Sequence, residues 1–163
     1  RRAIDDLGKR GEITLIYAGG IRNGADVAKA IALGADAIAL GHSVMMAMNC
    51  NKDIDEADYP NEIGADPGYC YHCHTGRCPV GIATQDQELR KRLDPDEAAE
   101  RVYNFLHTLA IEAQLFARAC GKTHVHSLEP EDLAALTMEA SAMAGVPLAG
   151  TNHTVGVEDY HKL

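Results

Sequence analysis

Two stretches constrain the fold of this chain more than any other feature. Residues 13–20 read ITLIYAGG and residues 35–41 read ADAIALG; each is a short apolar run that ends on glycine and leads into a helix start. An apolar run of this length that closes on glycine predicts a buried strand meeting a tight turn. Between the two runs, NGADVAKAIALG offers Asn23 as an N-cap, Val27 and Ile31 at helical spacing, and Gly34 as the stop. Upstream, residues 2–10 carry Ile4 and Leu7 on one helical face and end at Gly11; downstream, VMMAMN begins a further helix at Val44. The order helix, strand, helix, strand, helix with short connections predicts a parallel α/β unit.

The rest of the composition narrows the class. At 163 residues the chain has one domain's worth of sequence. Its formal net charge of -9, with the 15 Lys and Arg dispersed, argues against nucleic acid as a partner. No run approaches the roughly 20 apolar residues of a membrane span, and RRAIDDLGKRG lacks an apolar signal core. The expectation is a soluble, cytoplasmic chain without a membrane partner; a start at Arg1 instead of Met suggests a processed chain or a piece of a longer one. Cys50, Cys70, Cys73, Cys78 and Cys120 are an odd set, and in a reducing compartment clustered thiols serve metals or redox chemistry more often than disulfides.

Residues 51–68 turn acidic with Gly and Pro and read as an irregular loop. Thr84 and Gln87 have capping-box spacing for a helix through about Leu93. Asp94 and Pro95 restart a long helix with an apolar stripe at Val102, Leu106, Leu109, Ala113 and Phe116, up to Gly121. A last helix is expected from about Pro130 to Gly145, with no element after Val146. Cys120 is expected to be a buried, inert thiol, and Met45, Met46 and Met48 to fill packing gaps. His107, His124, His126, His153 and His161 receive no role, Ser43 has no paired base, and the acidic run at 53–58 reads as solvated surface.

A glycine turn between a strand end and a helix N-terminus presents backbone N–H groups to an anion. Gly19-Gly20 followed by Ile21-Arg22, and Gly41 followed by His42-Ser43, are two such turns in succession. One alone would read as a tight turn; the pair favours a phosphate site, as formed by the last two loops of a (β/α)8 barrel. The segment AGGIRNGADVAKAIALGADAIALG resembles the seventh and eighth strands of FMN-dependent (β/α)8 barrels. That resemblance implies Gly19, Gly20, Arg22, Gly41 and His42 as FMN contacts. Ala18 stands where several of these barrels carry an acid.

The stretch YCYHCHTGRCP sets Cys70, Cys73, His74 and Cys78 close together, with Cys50 upstream. Zinc could take four ligands from this set, although only one Cys-x2-Cys knuckle is present. An iron-sulfur cluster is held by thiolates on short loops, often with Pro directly after a ligand, as in Cys78-Pro79. The residue types leave both open. MAMNC, then CHTGRCPVGIATQD followed by ELRKRL, resembles the glutamate synthases, whose FMN barrel is followed by a CHxxxCPVGxATQ block. By that resemblance Cys50, Cys73 and Cys78 are ligands of a 3Fe-4S cluster beside the flavin. Here Asn51–Tyr69 lengthens the loop and Cys70 adds a fourth thiol, which would allow 4Fe-4S. The long loop also resembles the flavin subunit of N-methylglutamate synthase.

The resemblance implies an α/β fold, specifically the C-terminal part of an FMN-binding (β/α)8 TIM barrel with an iron-sulfur loop and trailing helices. Residues 1–49 would be the last strands and helices of the barrel, 50–84 the cluster loop and 85–163 the helical segment. It implies an oxidoreductase of CH-NH2 donors in which electrons pass through the cluster to FMN, reducing 2-iminoglutarate to L-glutamate. Its partners would be the remainder of the barrel, a glutaminase or amidotransferase part and an electron-donor part. The alternatives are methylamine-glutamate chemistry and a non-catalytic zinc-binding assembly module.

Overall fold

The structure, a computed structural model, describes residues 1–50 and 71–156. The chain divides into two compact units, one from Arg1–Ala39 with Leu109–Leu163 and one from Leu40–Thr108.

In the first unit, α1 (Arg2–Asp6), β1 (Ile16–Ala18), α2 (Gly24–Ala32) and β2 (Ala37–Ala39) follow in order. β1 and β2 pair in parallel, with Ile16 opposite Ala37, Tyr17 opposite Ile38 and Ala18 opposite Ala39. Parallel neighbours need a crossover, and α2 supplies it, so the expected α/β unit is present. Asn23 caps α2 as expected, its Oδ1 accepting from the Asp26 N–H at 3.0 Å. Val27, Ala28, Ala30, Ile31 and Ala32 are buried. Burial of a Val or Ile side chain contributes about 1.5–3 kcal/mol, which holds the helix to the unit more firmly than its own propensity could. Gly34 ends it at φ +105°, its N–H donating to the Ile31 carbonyl at 2.7 Å.

Asp36 secures the bottom of this unit. Its two oxygens take the Arg10 guanidinium at 2.8 and 2.7 Å and the Leu15 N–H at 2.7 Å, and Arg10 also donates to the Gly34 carbonyl at 3.0 Å. The segment before β1, the turn after α2 and the start of β2 are thereby joined. Both strands are largely exposed, with Ile16 and Tyr17 at 60% and 46%.

The last expected helix begins later than its sequence suggests. Pro130–Asp132 is a single 3-10 turn, and α6 runs only over Met138–Ala144, capped by Thr137, whose Oγ1 accepts from the Ala140 N–H at 3.1 Å. Helix formation at Ala135 gives way to an isolated parallel bridge with Leu148. The Ala135 N–H donates to Pro147 and its carbonyl accepts from Ala149, both at 2.8 Å. Ser141 is fully buried; it donates to the Val146 carbonyl at 2.7 Å and accepts from the Val155 N–H at 3.0 Å, so the tail without regular structure is still tied down.

In the second unit, α3 (His42–Ala47) follows Gly41, and α4 (Gln87–Arg90) and the start of α5 (Pro95–Ala119) follow the cysteine loop. The expected Thr84–Gln87 capping box is replaced by an Asp86 cap. Asp86 accepts from the Glu88 and Leu89 N–H groups at 2.9 and 3.0 Å, and these bonds, Leu89 first, hold its carboxyl below the usual range. Thr84 is drawn into the preceding loop instead. Asp94 caps α5, accepting from the Asp96 and Glu97 N–H groups at 3.0 and 3.2 Å, with Pro95 at the first helical position.

Along α5 the buried positions are Ala98, Leu109, Ala113 and Ala117, while Leu106 and Phe116 of the expected stripe are exposed. Cys120 is also exposed, not buried: it lies past Ala119 in the turn that ends α5, beyond the last buried residue of the helix. Met46 is exposed and Met45 and Met48 are half-buried. Among the described residues no helix is long and apolar enough to cross a membrane.

Candidate functional site

Gly19 and Gly20 lie at the C-terminal end of β1 with φ of +108° and +70°, so the backbone itself favours glycine at both. A Cβ built on either meets nothing within 4 Å, and among the described residues their N–H groups make no hydrogen bond. Two donors of the first turn of α2 are already taken: the Asp26 N–H goes to Asn23, and the Gly24 N–H goes to Glu112 Oε2 at 2.7 Å. The amides of Gly19 and Gly20 are thus among the donors open to an anion in this turn.

Arg22 is exposed and held loosely, its Nε 3.7 Å from Asp26 Oδ2, while its N–H donates to the same oxygen at 3.1 Å. Lys29 Nζ lies 2.8 Å from Asp26 Oδ1. The Lys29 hydrogen bond, aided by the Arg22 N–H, holds the Asp26 carboxyl below its usual range. Sequence reasoning missed Asp26 and Lys29, although Asp three residues after an Asn cap is a readable signal. It could not have found Glu112, 88 positions from Gly24.

A cleft of about 350 Å³ runs between β1 and α2, lined by Ile16, Tyr17, Gly20, Asp26, Lys29 and Leu33 among others. It is apolar along the strand and charged near the glycine turn.

Gly41 and His42 belong to the second unit. Gly41 caps α3 with a φ of -129°, outside the left-handed region, and a Cβ there meets no atom within 4 Å. Its carbonyl accepts from the Val44 and Met45 N–H groups at 3.1 and 3.2 Å. His42 is exposed at the first position of α3. Among the described residues the N–H groups of Gly41, His42 and Ser43 make no hydrogen bond.

Cys50, Cys73 and Cys78 all lie in the second unit, and Cys70 lies outside the described residues, as does the acidic run at 53–58. Cys50 and Cys78 are buried at 8% and 5%, and Cys73 is exposed in the 3-10 turn His72–His74. Cys78-Pro79-Val80-Gly81 forms a tight turn closed by the Gly81 N–H on the Cys78 carbonyl at 3.2 Å. Pro79 is fully buried and Gly81 sits at φ +81°. The donor set fits an iron-sulfur cluster in its chemistry: thiols on short turns, two of them shielded from water. Among the described residues no group of three His, Cys, Asp or Glu converges on one metal position.

The comparisons with known proteins agree on one family. A family model described as the conserved region in glutamate synthase matches residues 1–55 and 62–123. A glutamate synthase large subunit-like protein of Rhizobium meliloti (strain 1021) is 54% identical over 151 residues, covering 93% of this chain and 34% of that protein. An archaeal glutamate synthase (NADPH) of Methanocaldococcus jannaschii is 42% identical over 125 residues, covering 77% of this chain and 21% of the relative. An archaeal-type glutamate synthase (NADPH) of Dehalococcoides mccartyi is 35% identical over 151 residues, 90% of this chain and 27% of the relative. The chain thus spans about a third or less of the length of these relatives.

Proposed function

The chain belongs to the glutamate synthase family, and from that premise we propose that it supplies the end of an FMN-binding (β/α)8 barrel and the iron-sulfur loop of a glutamate-forming oxidoreductase. One observation carries this reading: a single family model matches both the glycine turns and the cysteine block. The parallel β1-α2-β2 unit, the exposed faces of β1 and the apolar cleft beside it support a sheet that continues into further strands.

In this reading residues 1–49 belong to the barrel, 50–84 form the cluster loop and 85–163 the trailing helices. The amides of Gly19, Gly20, Gly41 and His42, with Arg22, hold the FMN phosphate. Cys50, Cys73 and Cys78 hold the cluster, with Cys70 as a fourth ligand if it is 4Fe-4S. When bound, the cluster carries electrons and the flavin delivers the hydride that reduces a 2-imino acid to L-glutamate; the protein's task is binding and placement. Arg22 contributes charge that Asp26 keeps close to the turn, and the buried Cys78 turn keeps water from one thiol.

The long loop supports a second reading, methylamine-glutamate chemistry: residues 56–61, which the family model leaves unmatched, fall inside it. Turnover by the complete protein decides. Glutamate formed from 2-oxoglutarate and glutamine supports the first reading; N-methylglutamate formed from glutamate and methylamine, with no turnover of 2-oxoglutarate, replaces it by the second. A colourless protein holding zinc and no flavin would leave only the assembly module.

A further inference from the structure

The geometry points to Thr84 and Arg92 as positioning residues for Cys78, clamping its loop onto α4 from two sides. The inference rests on the reading that Cys78 is a cluster ligand. Thr84 is buried at 8%, and its hydroxyl donates to the Gly76 carbonyl while accepting from the Asp86 N–H at 3.0 Å. Asp86 in turn caps α4, so the near side of the Cys78 loop is fastened to a helix start through one side chain.

On the far side, Arg92 Nη1 donates to the Pro79 carbonyl at 2.9 Å, and Arg92 is itself fixed in the turn after α4, its N–H on the Leu89 carbonyl at 3.1 Å. Gly81 closes the clamp. A Cβ there would collide with the Leu89 carbonyl and lie 3.1 Å from the Leu93 nitrogen, so this turn and α4 meet backbone to backbone. Cys78, Pro79 and Val80, at 5% exposure or less, sit between these anchors.

Cys73 lies outside the clamp and is exposed. The two thiols of the block therefore differ: the protein's own hydrogen bonds hold the buried Cys78 turn in advance, while Cys73 stands exposed on a short turn in which the Thr75 hydroxyl donates to the His72 carbonyl at 2.9 Å. Groups that orient a ligand in this way typically change metal affinity about 10- to 100-fold when removed.

The test uses the native protein purified anaerobically, with iron and acid-labile sulfide measured first and iron release to a chelator followed next. Thr84→Val, which keeps the shape and removes the hydroxyl, and Arg92→Gln are each expected to release iron about 10-fold faster than the native protein. Thr84→Ser, which keeps the hydroxyl, is expected to release it at close to the native rate. Native release rates in both Thr84→Val and Arg92→Gln would overturn the clamp. If Thr84→Val fails to fold by circular dichroism, the release rate of Arg92→Gln decides alone. The ligand reading is tested separately by Cys78→Ala: native iron content in that variant removes the ligand reading and the clamp with it. Loss of iron in Cys78→Ala beside unchanged release in the clamp variants removes the clamp only.

Discussion

The carboxylate of Glu112 on α5 accepts a hydrogen bond from the Gly24 N–H at the start of α2, at 2.7 Å. A side chain from late in the sequence thus satisfies a helix end that lies just after the glycine turn. The contact is close because residue 24 has no side chain. A Cβ there would collide with the Glu112 Cβ and fall 2.5 Å from the Ala113 nitrogen and 2.7 Å from the Leu109 carbonyl oxygen. Backbone atoms cannot rotate aside, so Gly24→Ala must separate the helices. The expected loss is about 1–3 kcal/mol, read as a lower denaturant midpoint with unchanged slope.

Asp36 contributes to the acid sensitivity of the same unit. The Arg10 guanidinium, then the Leu15 N–H, hold its carboxyl below the ordinary carboxylate value. The folded-state pKa lies below that of the unfolded chain, so this interaction stabilises fully above about pH 4 and is lost as pH falls through the folded value. Asp36→Asn is expected to lower the melting temperature at neutral pH. It should also narrow the stability gap to the native protein as the pH drops below about 4. A variant whose gap stays constant down to acid pH would show that Asp36 does not titrate with folding.

The α/β unit was legible because its signals are local. Asn23 before α2, Gly34 after it and the apolar runs on either side each act within one turn of chain and appear where the sequence puts them, although both strands are largely exposed where their apolar runs predict burial. Competition defeated the reading elsewhere. Thr84 has capping-box spacing, but Gly76 claims its hydroxyl and Asp86 takes the cap. The helical pattern from Pro130 loses its first turns to the bridge between Ala135 and Leu148, a pairing no local window contains. Cys120 continues an apolar stripe, yet the helix ends before it and leaves it exposed. In the candidate site the glycines and cysteines were visible as residue types. Glu112 and Arg92 were not, because they act through distant or main-chain contacts.

Gly41→Val separates a structural glycine from one that serves a ligand. No atom lies within 4 Å of a Cβ added at position 41, so the protein side offers no steric clash to the substitution. The variant is expected to fold. If backbone approach to a phosphate is what position 41 supplies, the FMN dissociation constant of the complete protein should rise about 10-fold or more, on the order of 1.4 kcal/mol. An unchanged constant in the folded variant would assign Gly41 to the turn alone.

In the proposed function Cys50, Cys73 and Cys78 hold an iron-sulfur cluster in a glutamate synthase-type protein. Iron holds its cluster through thiolates, so losing one ligand removes a cluster held by three and leaves at most a three-iron form where Cys70 is a fourth. The most direct measurement is the iron and acid-labile sulfide content of the anaerobically purified native protein, set beside its Cys73→Ala and Cys78→Ala variants. Both elements are expected in the native protein, and in either variant neither, or a lowered iron content where Cys70 is a fourth ligand; zinc in place of iron, without sulfide, in protein expressed with iron supplied would refute the ligand assignment.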